Sequence, residues 1–142
     1  MAYKILLPFD GSKCSVKAAD YVVGLMAAGR DITCTVLFVM PFTIDLARFL
    51  GMSEDEYNKN IRELAEAIKS KVKNIFDTKG LYVQTLFLEG DLVKVICDVA
   101  GREAYDEIVM GSRGYTGIKK AICGNYSRKV AKKAVCSVNI IR

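Results

Sequence analysis

The chain has 142 residues, 51% hydrophobic and 26% charged, the size and balance of one globular domain able to bury a core. It contains no histidine, which excludes Ser-His-Asp and Cys-His catalysis, His-ligated zinc and the usual general base near neutral pH. The net charge of +5 is gathered late in the chain: no acid follows Glu107, whereas Arg113, Lys119, Lys120, Arg128, Lys129, Lys132, Lys133 and Arg142 do, a balance that favours an anionic ligand.

Strand and helix patterns alternate from end to end. Tyr3 to Pro8 reads as an apolar strand stopped by the proline, and Gly11-Ser12 opens a helix with Val16, Ala19, Val22, Val23 and Met26 at helical spacing. Gly29 is the expected end of that helix. Ile32 to Val39 is β-branched and apolar on both faces, as a buried parallel strand should be. Pro41 to Met52 is an apolar connector, and Ser53-Glu54-Asp55-Glu56 is a capping box opening a long helix to about Thr78.

A third strand is expected over Leu81 to Leu88, after which Asp91 caps a helix carrying Val93, Val95, Ile96, Val99 and Ala100. Glu107 to Met110 forms a fourth strand, Asn125 to Ala134 a helix, and Val135 to Ile141 a closing strand. The alternation predicts one α/β domain over residues 1–142: a three-layer sandwich on a five-stranded, mostly parallel sheet with helices on both faces.

In such sheets ligands bind beyond the C-terminal strand ends, where the strand order reverses. Two polar features stand at such ends, Asp10 after the first strand and a glycine loop after the fourth. That loop is Gly111-Ser112-Arg113-Gly114, with nine residues intervening before Gly124-Asn125-Tyr126-Ser127. Glycines let a backbone approach a ligand closely, and successive N–H groups near a helix N-terminus cradle phosphate oxygens.

Each feature also has a plain structural reading. Asp10 suits a helix cap, the glycines suit sharp turns, and Gly90-Asp91 suits a turn with a cap. Arg113, Lys119 and Lys120 either neutralise phosphates or face solvent, while Lys129, Lys132 and Lys133 suit a solvated helix face. The connector Phe42 to Leu50 places apolar residues at helical spacing, and it lids a pocket, forms an oligomer face or simply packs.

The five cysteines, Cys14, Cys34, Cys97, Cys123 and Cys136, are scattered and never spaced as C-x-x-C, which points to reduced thiols in a reducing compartment. Cys34, Cys97 and Cys136 sit in apolar runs and are expected in the core. The opening apolar run is too short for a signal peptide, and no segment is long enough to span a bilayer, so a cytoplasmic protein is expected. No nucleic-acid-binding motif or aromatic interleaving accompanies the basic residues, so no nucleic-acid partner is expected.

Three segments carry a family resemblance. Ile5-Leu6-Leu7-Pro8-Phe9-Asp10-Gly11-Ser12, Val36-Leu37-Phe38-Val39, and Ile108-Val109-Met110-Gly111-Ser112-Arg113-Gly114 with Gly124 beyond it resemble the first strand, second strand and G-x2-G-x9-G nucleotide signature of universal stress proteins. The resemblance covers essentially the whole chain. It implies a five-stranded parallel fold like that of the adenine-nucleotide α-hydrolases, a homodimer paired near the C-terminal edge strand, and ATP or AMP in the crevice, with any Mg²⁺ carried by the nucleotide.

Carried over by position, the resemblance implies that Pro8, Phe9 and Asp10 flank the ribose or adenine, and that Val39 supplies backbone contacts to adenine. It likewise implies that Met110, Gly111, Arg113, Gly114 and Gly124 bring the chain up to ribose and phosphates. Asn125, Tyr126 and Ser127 follow, Ser127 with a hydroxyl for a phosphate. The family's nucleotide binders usually carry Ser or Thr after this last glycine, where this chain has Asn125. The resemblance therefore implies a nucleotide-binding stress or energy-state responder; a stress protein acting through partner contact alone and a slow ATP hydrolase are the alternatives.

Overall fold

The first strand, β1 (Tyr3–Pro8), ends in four consecutive buried residues, Ile5 to Pro8. Burial on both faces requires a central strand with helices above and below it. The structure, a computed structural model, describes residues 2–40, 43–112 and 120–142, and for 120–125 the backbone alone. The remaining elements are α1 (Lys13–Ala27), β2 (Ile32–Met40), α2 (Ile44–Phe49), α3 (Glu54–Asp77), β3 (Gln84–Glu89), α4 (Leu92–Arg102), β4 (Glu107–Gly111), α5 (Lys120–Lys133) and β5 (Ser137–Ile141).

The five strands form one sheet in the order β3-β2-β1-β4-β5. All four pairings are parallel, with Leu7 opposite Val36, Phe38 opposite Phe87, Leu6 opposite Ile108 and Met110 opposite Ile140. The chain steps outward from β1 to β3, then returns to the other side of β1. The strand order thus reverses between β1 and β4.

Alternation along the strands divides the core in two. Ile5, Leu7, Phe9, Val36, Phe38 and Val109 pack with Ala18, Ala19 and Val22 of α1 and Ile68, Val72 and Phe76 of α3. Leu6, Leu37, Val39, Ile108 and Met110 pack on the opposite face, with Leu92, Ile96 and Val99 of α4 and Val130 of α5. In α3 the buried residues Ile68, Val72 and Phe76 recur one helical turn apart. Burying each contributes about 1.5–3 kcal/mol, and Phe76→Ala is the single change that would loosen this layer most, by about 3–5 kcal/mol.

Helix starts follow the local chemistry. Ser12 Oγ accepts from the Ser15 amide at 3.3 Å, Ser53 Oγ from the Glu56 amide at 3.1 Å, and an Asp91 carboxylate oxygen from the Lys94 amide at 3.0 Å. At the far end of α1, Gly29 takes φ +87° and closes the turn by donating to the Met26 carbonyl.

The structure refines or departs from the sequence reading at several points, among them β5, which starts at Ser137 rather than Val135. The connector after β2 contains a helix, α2, because Thr43 caps it by accepting from the Leu46 amide at 3.2 Å. β3 starts at Gln84 rather than Leu81, since the Leu81 amide is committed to the Phe76 carbonyl at the end of α3. α5 starts at Lys120 rather than Asn125; no proline or cap interrupts Lys120 to Asn125, and one glycine costs a helix only about 1 kcal/mol. Cys97 and Cys136 are half-buried against the second core cluster, and only Cys34 of the three is fully enclosed.

Candidate functional site

The end of β1 is built by its neighbour. Pro8 lies opposite Leu37, and the Phe9 amide donates to the Leu37 carbonyl at 2.9 Å. Phe9 is fully buried on the face of α1 and α3. One residue on, the strand gives way to a tight turn in which a carboxylate oxygen of half-buried Asp10 accepts from the Ser12 amide at 2.9 Å. Asp10 is therefore not the helix cap that the sequence suggested: Ser12 caps α1, and Asp10 braces the turn that leads into it.

Val39 lies beyond the last bond between β1 and β2. A strand residue points its N–H and C=O to one side and its neighbours point theirs to the other. Leu37 bonds towards β1, and Met40 accepts from the Gly90 amide on the β3 side at 3.1 Å. The main-chain groups of Val39 therefore face the β1 side, past Phe9. Its side chain is fully buried with Met110 in the second core cluster.

β4 supplies the opposite wall. Met110 is buried, Gly111 is half-buried opposite Ile141 of β5, and the Ser112 amide donates to the Ile141 carbonyl at 2.8 Å. The glycine at 111 answers a packing demand: an added Cβ would lie 2.6 Å from the Cys14 carbonyl carbon in the first turn of α1. Cys14, which motif reading did not select, thus sets the space at the first signature glycine. No sequence pattern links the two positions.

On α5, Ser127 is 3% exposed and Tyr126 is half-buried against the second core cluster. Arg128, Lys129, Lys132 and Lys133 are exposed along the same helix. Gly124 and Asn125 fall within the first turns of α5, whose side chains lie outside the described residues up to 125. Arg113 and Gly114 lie outside the described residues altogether.

The sheet thus brings Pro8, Asp10, Val39, Met110 and Gly111 to one end of three adjacent strands, β2, β1 and β4. Phe9 belongs to the same segment, with its ring turned into the other core layer. Main-chain groups free of the sheet ladder and one half-buried carboxylate suit a ligand with a polar-edged ring and a hydroxylated part. Among the described residues, no group of three or more Cys, Asp or Glu side chains is placed to hold a metal ion, and no helix is long and apolar enough to cross a membrane.

Comparison with known proteins reaches the same fold. The profile of the universal stress protein family matches residues 1–142. The universal stress protein MJ0531 of Methanocaldococcus jannaschii is 30% identical over 98% of this chain and 81% of its own length. The solved structure of UspA from Lactobacillus plantarum superposes with a TM-score of 0.77 at 23% identity, over 99% of this chain and 97% of that one.

Two further structures of the fold were solved with nucleotides. The protein from Archaeoglobus fulgidus in complex with dAMP superposes with a TM-score of 0.69 at 19% identity, covering 100% of this chain and 98% of that one. The AMP-bound protein from Arabidopsis thaliana superposes with a TM-score of 0.70 at 18% identity, covering 98% and 90%. The chain belongs to the universal stress protein family.

Proposed function

We propose that this protein binds an adenine nucleotide, ATP or AMP, in the crevice between the C-terminal ends of β1 and β4, and responds to stress or energy state through that ligand. The observation that carries the reading is the reversal of strand order between these two strands, with Asp10, Val39, Met110 and Gly111 gathered at it. The dAMP and AMP complexes of proteins with this fold support the ligand class.

In this reading adenine lies at the end of β2, with the main-chain groups of Val39 available to its polar edge. Asp10 serves the sugar. The glycine loop through Gly114 and Gly124, with Arg113, Asn125, Tyr126 and Ser127, takes the phosphates, and the exposed cations of α5 add a favourable field. Any Mg²⁺ arrives with the phosphates. The ligand's differential contacts bias a partner surface. The same reading includes a homodimer, for which β5, an edge of the sheet, offers its outer side.

The test is calorimetric titration of ATP, AMP and GTP, with Mg²⁺, into folded protein stripped of nucleotide. Selective micromolar binding of the adenine nucleotides is expected. Absence of binding would overturn the reading and leave partner contact alone as the working function.

A further inference from the structure

The turn that carries Asp10 is gripped from behind by a helix far along the chain. Lys71, on α3, donates from Nζ to the Gly11 carbonyl at 2.8 Å. Gly11 sits at φ +86°, in the left-handed region, where a glycine imposes the least restraint of its own. The same face of α3 closes on it: a Cβ at Gly11 would lie 3.4 Å from Ile68 Cδ1 and 3.8 Å from Lys71 Cδ. On the other side of the turn, Asp10 accepts from the Ser12 amide at 2.9 Å. The peptide next to Asp10 is therefore held at both ends, internally by the carboxylate and externally by the ammonium of Lys71.

We propose that Lys71 is a positioning residue for the nucleotide site, fixing the Asp10–Gly11–Ser12 turn through the Gly11 carbonyl so that Asp10 meets the ligand in one orientation. This rests on the nucleotide reading above. A charged donor on a carbonyl is stronger than a neutral pair, and it acts on the most permissive residue of the turn. Without it, Gly11 samples alternatives and the bound orientation of Asp10 must be selected from them, which lowers apparent affinity. Lys71 acts through the turn, and so its effect is blind to how many phosphates the ligand carries. A cation touching phosphate directly would matter more for ATP than for AMP.

The experiment titrates AMP, ADP and ATP into nucleotide-free wild type, Lys71→Met and Lys71→Arg, with melting temperatures recorded for each ligand-free protein. Lys71→Met is expected to weaken all three nucleotides by one common factor of about five, the scale of a lost solvent-exposed charged hydrogen bond. Lys71→Arg, which keeps a charged donor in reach, is expected to restore most of that loss. A purely structural role would lower the melting temperature and leave affinity and its rescue unmoved. Equal affinity of Lys71→Met and wild type would overturn the inference, as would a loss that grows from AMP to ATP. Failure of wild type itself to bind any of the three would instead overturn the proposed function.

Discussion

The main chain of Cys14 occupies the space that a side chain at Gly111 would need, with an ideal Cβ on Gly111 falling 2.6 Å from the Cys14 carbonyl carbon and 2.7 Å from its oxygen. Main-chain atoms in a helix cannot rotate aside as the tip of a long side chain can. Gly111→Ala therefore pushes the start of α1 away from β4, and with it the Asp10 turn from the opposite crevice wall. Overpacking of this kind costs about 1–3 kcal/mol. Urea denaturation is expected to show that loss, with nucleotide affinity falling alongside it; unchanged stability would mean that α1 gives way freely.

Gly24 is the counter-case. It lies inside α1 and no atom comes within 4 Å of an added Cβ. Its only effect is to loosen the unfolded chain and the helix. Gly24→Ala is expected to raise stability by about 0.5–1 kcal/mol without changing nucleotide affinity, as thermal unfolding and titration would show.

The contrast between these glycines marks what a sequence can disclose. The sheet and its helices are written in local periodicity: apolar runs at Ile5–Pro8 and Val36–Val39, and helical spacing at Ile68, Val72 and Phe76. The strand-end location of Asp10 and Gly111 follows from the same patterns. The grip of Lys71 on Gly11 and the pressure of Cys14 on Gly111 are contacts between distant segments. A single lysine on an exposed helix face and a cysteine in a first turn carry no local signal of either. The helix α2 was legible in part: helical spacing marks the run from Phe42 to Leu50, whereas its capping threonine, Thr43, is masked by the hydrophobicity around it.

Asn125 replaces the small hydroxyl residue usual after this glycine in nucleotide-binding members of the family. An amide side chain is longer and donates from a different point, so a hydroxyl is expected to suit a phosphate better. Asn125→Ser should tighten ATP binding a few-fold, and AMP binding less, in the same calorimetric titration. Gly114→Val provides the opposing control, abolishing binding while the protein stays folded. Unchanged ATP affinity in Asn125→Ser would show that this amide does not limit the site.

Dimerisation through β5 can be tested at one residue. The Ser112 amide bonds the Ile141 carbonyl, so Ile141 and Asn139 direct their main-chain groups towards β4 and Ile140 directs its own outward. Ile140 is 36% exposed and lies on the sheet edge. Proline at this position removes an outward N–H and leaves the bonds to β4 in place, the circumstance in which strands tolerate it. Ile140→Pro is expected to shift the protein from dimer to monomer in sedimentation equilibrium with its circular dichroism retained. A wild-type monomer, or a variant that stays dimeric, would remove β5 from the assembly.

Cys34 links the core to alkaline pH. It lies 5% exposed in the layer beneath α1 and α3, and burial pushes its thiol up to about 12 from an ordinary 9.0. Below the ordinary value the thiol is protonated in folded and unfolded chains alike, and its contribution to stability is complete. As pH rises past that value the unfolded chain releases the proton while the folded chain keeps it. Stability then falls by about 1.4 kcal/mol per pH unit until the folded thiol also ionises. Cys34→Ala removes this slope and costs about 1 kcal/mol in packing at neutral pH. The stability difference between wild type and Cys34→Ala is therefore expected to be constant up to about pH 9 and to shrink, then change sign, above it. Tyr57, raised by burial and by its hydrogen bond to Glu89, weakens both proteins in the same direction and cancels from the comparison. Parallel stability curves for the two proteins from pH 7 to 11 would show that the thiol ionises without unfolding the layer around it.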